Sequence, residues 1–220
     1  MGSLNDQSSD GAVHSIYSPR PTAEMVILQQ ALSTLGTEHI LYPRDEIYAV
    51  QENQKSLYLF KEGEFKFIRA SDGLVLSSGR GEMIYGLVEC LRPRGGWYMK
   101  VEEPCMARVI NAEEAFEVFT KQQLWEPVAN LLAWFVQIFS LRDEHLVGVP
   151  AYVMIRNKLL ELNSQPAELR REVNVADFIQ MRTQLARSTI MAILGELRRG
   201  DYIEIKRGKL VAIRHLPKDY

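Results

Sequence analysis

Thr183-Gln-Leu-Ala-Arg-Ser-Thr-Ile-Met-Ala-Ile-Leu-Gly-Glu-Leu-Arg-Arg-Gly-Asp-Tyr202 is the stretch on which the reading of this chain turns. Ala186, Ile190, Ile193, Leu194 and Leu197 recur at the spacing of one helical face, which predicts an amphipathic helix. Its other face carries Ser188, Ala192, Gly195 and Arg199. Those side chains are mostly small, so the helix backbone can lie close to whatever it meets. A shorter periodic segment precedes it, Asn174 to Met181, with Val175, Phe178 and Ile179 on one side. Asn174 followed three residues later by Asp177 reads as a capping pair, and the carboxylate also suits the positive helix start. After the second helix the period drops to two. Tyr202-Ile-Glu-Ile-Lys206 and Leu210-Val-Ala-Ile-Arg214 read as two strands joined across Arg207-Gly208. Two helices across a tight polar turn, then a hairpin with a basic tip, predict a winged helix-turn-helix. The plainer alternative is a surface helical hairpin followed by an ordinary strand pair.

Charge is divided along the chain. The overall formal charge of −2 combines a C-terminal part, from Pro150 onward, holding 13 Lys+Arg and 8 Asp+Glu (net +5), with a remainder at −7. A basic third on an acidic remainder fits a protein in which one domain meets phosphates. The 220 residues suffice for one large or two small cores, and 46% hydrophobic content is that of a globular protein. The apolar run Leu131 to Phe139 falls short of the roughly 20 residues that span a bilayer, and the start lacks a secretion-signal layout. The expected location is the cytoplasm, with no membrane partner. Two cysteines, Cys90 and Cys105, are too few for a disulfide framework or a four-thiolate cluster. The four histidines, His14, His39, His145 and His215, are scattered without ligand spacing. No metal, cofactor or enzymatic constellation is expected.

Taken in order, residues 1–20 read as a disordered tail. Pro21 to Gly36 reads as a short helix on Met25, Leu28, Ala31 and Leu32, with Gly36 at its C-cap. Between Glu38 and Val109 about eight short strand-like runs, divided by Gly, Pro, Asp and Asn, predict a double-sheet jelly roll. Lys61-Glu-Gly63-Glu64 reads as a hairpin turn within it. Asn111 caps a further helix. Gln122 to Leu146 is then a long helix with Val128, Leu131, Phe135, Ile138 and Arg142 at heptad-like spacing, and Leu132 and Phe139 widening the stripe. Such a helix either pairs with a second copy of itself or is buried in its own domain, and periodicity does not separate the two. Gly148-Val-Pro150 reads as a hinge, and Tyr152 to Leu162 as a helix beneath the reading head.

Arg187-Ser188-Thr189, the apolar set Ile190, Ile193, Leu194 and Leu197, Gly200-Asp-Tyr-Ile203 and the wing glycine Gly208 resemble the DNA-binding domain of the Crp/Fnr superfamily, which includes the catabolite activator protein. Leu124-Trp125, Leu141-Arg-Asp143, Arg182-Thr183, Leu197-Arg198, Tyr202-Ile-Glu204, Gly208-Lys-Leu210, Leu216-Pro217 and Tyr220 are similar to an enterobacterial subgroup described as inhibitors of hydrogen peroxide resistance. The resemblance is strong over about the last hundred residues and looser before them. It implies an α+β chain: an N-terminal jelly-roll domain of the cyclic-nucleotide-binding type over 21–120, a long dimerisation helix over 121–147, and a winged helix DNA-binding domain over 150–220. It further implies a homodimer through Val128, Leu131, Phe135, Ile138 and Phe139. The implied function is a sequence-specific regulator of stress genes that binds double-stranded DNA, with RNA polymerase as a further partner. The alternative is a winged helix serving protein or RNA contacts.

In cyclic-nucleotide-binding members a Gly-Glu pair and a later Arg-Ser or Arg-Thr hold the ligand, the arginine by a charge-assisted pair with the phosphate. Here Gly86 matches, but Leu87 replaces the glutamate and Trp97-Tyr98 replaces the second pair. The expectation is a pocket filled by aromatic side chains and no cyclic nucleotide. Cys90 and Cys105 stand as redox candidates through the peroxide-related resemblance. For DNA, Arg187 matches the family's base-reading arginine, whereas Ser188 and Ala192 stand where the catabolite activator protein has a glutamate and an arginine. Arg182, Thr183, Thr189, Arg199, Lys206, Arg207 and Lys209 complete the candidate DNA surface, mainly as phosphate contacts.

Overall fold

The computed structural model describes residues 19–217. The tail expected over 1–20, apart from its last two residues, lies outside them, as do His14 and Tyr220.

Two antiparallel sheets make the N-terminal part. One runs β1 (Thr37–Leu41), β9 (Cys105–Asn111), β4 (Gln54–Phe60), β3 (Val50–Gln51), with β7 (Met83–Tyr85) also paired to β4. The other runs β2 (Glu46–Ile47), β8 (Trp97–Val101), β5 (Glu64–Arg69), β6 (Val75–Arg80). The period-two alternation puts Phe65 and Phe67 of β5, Met99 and Val101 of β8, and Leu57 and Leu59 of β4 into one core between the sheets. The Lys61–Glu64 turn is not the hairpin expected. β4 pairs with β9, β7 and β3, while β5 pairs with β8 and β6, so the turn carries the chain from one sheet to the other. Two apolar faces that must meet across the core draw the flanking strands apart.

Helix α1 (Thr22–Ala31) buries Met25, Leu28 and, just past its end, Leu32. Gly36 lies beyond the helix end, beside the Val109 carbonyl at the entry to β1, rather than at the C-cap. A one-turn helix, α2 (Leu87–Leu91), follows β7 and is not visible in the sequence pattern. Helix α3 (Ala112–Lys121) starts as expected, the Asn111 side chain accepting from the amides of Glu113 and Glu114.

Helix α4 (Trp125–Glu144) corrects the expected subunit contact at Val128 and Leu131. Val128 and Leu131 are 1% and 0% exposed, locked into the core of their own sheet domain. Phe135 packs against that core, and Ile138 and Phe139 line a cavity beside Trp97. This part of the stripe faces inward because α4 packs with α1 and α3 over the apolar core of the sheets. Its outer face carries Ala129, Ala133, Val136 and Ser140, all exposed, with Leu132 half-buried at the margin. Among the described residues no helix is long and apolar enough to cross a membrane.

The C-terminal part has its own core. Helices α5 (Ala151–Asn163), α6 (Ala167–Glu172), α7 (Val175–Arg182) and α8 (Arg187–Arg199) precede the hairpin β10 (Ile203–Lys206) and β11 (Lys209–Ile213). Ile155 and Leu159 of α5 meet Phe178 and Ile179 of α7 and Ile190, Leu194 and Leu197 of α8. Helix α5 therefore lies beneath the α7–α8 pair, as its amphipathic pattern predicts. Ala186, expected on the buried face of α8, is instead its exposed N-terminal boundary residue.

Candidate nucleic-acid interface

The local chemistry of the sequence fixes the geometry of the α7–α8 unit. Asn174 Oδ1 accepts from the amides of Ala176 at 3.0 Å and Asp177 at 3.2 Å, starting α7 with satisfied donors. The wing returns to that same point, because the Val175 amide donates to the Gly208 carbonyl at 2.9 Å. Arg207 and Gly208 both take positive φ, 49° and 77°, as a two-residue hairpin of this twist demands. A Cβ on Gly208 would lie 2.6 Å from Asn174 Nδ2, so the wing tip needs glycine on both counts.

Arg187 opens α8 with its side chain half exposed. Its Nη1 donates to Asp177 Oδ1 at 2.6 Å and to Gln180 Oε1 at 3.0 Å. Ser188, Met191, Ala192 and Arg199 are exposed along the same helix, Thr189 and Gly195 half-buried. Arg199 is paired with Glu196 one turn back. On the wing, Lys206 and Arg207 are exposed, Lys206 lying 2.7 Å from Glu204. Lys209 is half-buried and donates to the Glu172 carbonyl. The exposed members of this set, carried by α8 and the wing, make up the candidate surface.

Arg182 and Thr183 are not on it. Arg182 is 7% exposed, with its guanidinium 3.8 Å over the Phe178 ring, Nη2 donating to Ser78 Oγ at 2.8 Å and Nε 3.4 Å from Glu161. Thr183 is 4% exposed and donates to the Ile179 carbonyl at 2.9 Å. Both turn inward because α7 ends there and its last carbonyls need donors. Neither reaches a phosphate in this arrangement. Arg182 instead joins the reading head to β6 of the sheet domain, and Gln184 reinforces the junction through Asp72. Asp177 and Gln180, which hold Arg187, and exposed Met191 adjoin this candidate surface and are not among the residues expected from the sequence. The Asp177–Arg187 spacing of ten residues is one signal that could have suggested the pair.

In the sheet domain, Leu87 is 1% exposed where a ribose-binding carboxylate would stand. Trp97 packs among Phe67, Tyr85 and Phe139 with ring centroids 5.4 to 6.3 Å apart, as the expected space-filler. Tyr98 does not fill the interior: strand alternation turns it outward, stacked on Tyr48 at 5.2 Å. A cavity of about 290 Å³ remains between β5–β6 and α4, lined by Phe67, Ser78, Trp97, Trp134 and Phe139, with Arg20 at its rim. One residue after Val88, Glu89 is buried without a hydrogen-bonding side-chain partner, and burial pushes its carboxyl up to about 7.

Cys90 and Cys105 are both buried. Burial raises the Cys90 thiol to about 11, with Glu89 adding to it, and burial likewise raises Cys105. Cys90 Sγ lies 3.6 Å from the Ser56 carbonyl, and Ser56 is opposite Asn111 on β9, six residues from Cys105. At about 3.3 Å per strand residue that is on the order of 20 Å, far beyond disulfide reach. The two thiols are therefore at opposite ends of the sheet. Among the described residues no group of three or more His, Cys, Asp or Glu is placed to hold a metal ion.

Two antiparallel sheets, a long covering helix and a winged helix-turn-helix define the fold of Crp/Fnr regulators. Residues 151–218 match the family model described as winged helix-turn-helix DNA binding. Among solved structures, the c-di-GMP-responsive global regulator of Xanthomonas campestris superposes with a TM-score of 0.68 at 13% identity, covering 86% of this chain and 100% of that one. A Crp/Fnr-family regulator from Eubacterium rectale superposes at 0.66 and 16% identity, covering 85% and 89%. The inhibitor of hydrogen peroxide resistance of Escherichia coli K12 is 30% identical over 203 residues, spanning 91% of this chain and 98% of the relative. Its Salmonella typhimurium counterpart is 28% identical over the same spans. The chain belongs to the family of these inhibitors of hydrogen peroxide resistance.

Proposed function

We propose that this protein is a homodimeric, sequence-specific regulator that reads duplex DNA through α8 and its wing. The observation that carries the reading is the surface itself: a helix with a small outer face, Arg187 at its start, and a basic wing tip beside it. The helix N-terminus enters the major groove, Arg187 meets a base edge, and Arg207 and Lys206 follow the phosphates. The match of residues 151–218 to a DNA-binding winged helix model supports this. Two copies join through the outer face of α4, where Ala129, Ala133, Val136 and Ser140 offer a narrow, mostly apolar seam with small residues for close approach. The protein works without cyclic nucleotide, a reading supported by buried Leu87 and the aromatic packing of Trp97. The names of the relatives point to genes of the peroxide response.

Selection from a random duplex pool, followed by anisotropy titration against ionic strength, tests the proposal. Wild type should prefer a two-fold-related site and lose affinity steeply with salt. Arg187→Ala should cost about 1–3 kcal/mol on that site, whereas Arg207→Ala should weaken all duplexes alike and flatten the salt slope by about one. Absence of any enriched sequence and of salt-dependent duplex binding would refute the assignment.

A further inference from the structure

We infer that Asp177 and Gln180 are positioning residues that set which edge of Arg187 is offered to DNA, and so determine base selectivity at that position. The inference rests on the DNA-reading function proposed above. Asp177 and Gln180 stand three residues apart on α7, hence on one face, and both accept from the same nitrogen, Nη1 of Arg187, at 2.6 and 3.0 Å. That nitrogen carries two of the five guanidinium hydrogens, so these two acceptors saturate it. Nε–H and the Nη2 hydrogens remain. Nε–H and one Nη2–H lie parallel on a single edge, the geometry that forks onto the N7 and O6 acceptors of guanine. An end-on approach through Nη1 and Nη2 is closed unless the pair with Asp177 breaks.

The hold is on rigid elements. Phe178 and Ile179, between the two acceptors, are buried against Ile190 and Leu194 of α8, so α7 and α8 move as one body. A four-dihedral arginine side chain is thereby fixed before DNA arrives, which lowers the entropy lost on binding. Asp177 also places a negative charge beside the groove. It repels phosphates when Arg187 is not matched to a base, so it penalises non-cognate sites more than the cognate one.

The test uses the full chain and the duplex site selected with wild-type protein. Binding is measured for that site and for duplexes changed at each base pair, with wild type, Asp177→Ala, Gln180→Ala, Arg187→Ala and the Asp177→Ala/Arg187→Ala double variant. Asp177→Ala should reduce discrimination at one base pair per half-site by roughly fivefold to tenfold while tightening binding to unrelated DNA. Gln180→Ala should lower discrimination at the same base pair by a smaller factor. In the Arg187→Ala background, Asp177→Ala should no longer alter discrimination, a dependence that a role in folding alone would not produce. Undiminished discrimination in Asp177→Ala, or equal effects in both backgrounds, would overturn the inference while leaving DNA reading intact. A wild-type protein without site preference would sink both.

Discussion

Glu89→Gln should change how stability depends on pH. Glu89 is 7% exposed on α2, and burial holds its carboxyl at about 7 instead of the usual 4.5. The groups that feel it are the Tyr85 hydroxyl and the Cys90 thiol, both pushed up in part by its charge, and no cation is among the causes that shift it. In the unfolded chain the carboxyl ionises near 4.5; in the fold it keeps its proton until about 7. Between those values the native state binds more protons, so stability is greatest below 4.5 and falls as pH rises through 7. Raising the group from 4.5 to about 7 corresponds to about 3 kcal/mol lost across that window. The glutamine variant carries a neutral amide at every pH and should show none of this loss, whatever constant cost its amide adds. Urea unfolding of both proteins at pH 4.5, 6 and 8 measures it. The wild type should lose about 2–3 kcal/mol more than Glu89→Gln between the extremes. Parallel pH profiles would show that the carboxyl is not held in its protonated form by the fold.

Three further outcomes are expected. Val136→Glu, at the centre of the exposed α4 seam, should raise the dimer dissociation constant by about two orders of magnitude in sedimentation equilibrium without lowering the thermal midpoint of the monomer; an unchanged constant would remove α4 from the interface. Arg182→Ala removes the stacking on Phe178 and the bond to Ser78, while Glu161 keeps Lys158 at 2.6 Å, and should destabilise by about 1–3 kcal/mol in denaturant melts. It should leave the salt slope of DNA binding intact, and a slope reduced by about one would restore Arg182 as a phosphate contact. Peroxide should form no intrachain Cys90–Cys105 bridge, so mass analysis under non-reducing conditions should recover no linked peptide pair.

The sequence carries the C-terminal domain almost completely because its signals are local. Asn174 caps α7 through its own next three residues, Gly208 marks the wing turn, and Ile190, Leu194 and Leu197 report one face of α8. The sheet domain is legible in class but not in pairing. Strand alternation identifies β4 and β5, yet only the competition of long-range partners sends them to different sheets. Short elements such as α2 and α6 have too few turns for a period to stand out. Among the candidate site residues, the exposure of Arg187, Ser188 and Ala192 is legible because helix position alone sets it. Arg182 and Thr183 are not, since whether a side chain at a helix end turns out to solvent or back to a carbonyl depends on its neighbours in space.

Helix α4 shows the same limit from the other side. Its residues are apolar around more than half the circumference, and a heptad-like spacing through Val128, Leu131, Phe135 and Ile138 suits a partner subunit and a sheet edge equally well. The deciding quantity is area, not period. The sheet domain offers a face already lined by large side chains, Phe67, Trp97 and Phe119 among them, and large side chains on α4 fill it. What remains exposed is the small face, Ala129, Ala133, Val136 and Ser140, which suits the close backbone approach of the proposed dimer. In the proposed dimer the bulky stripe of α4 serves its own domain, and the slender face is the one available to the partner. That ordering also places Ile138 and Phe139 beside Trp97, at the cavity between α4 and β5–β6 rather than in the proposed seam.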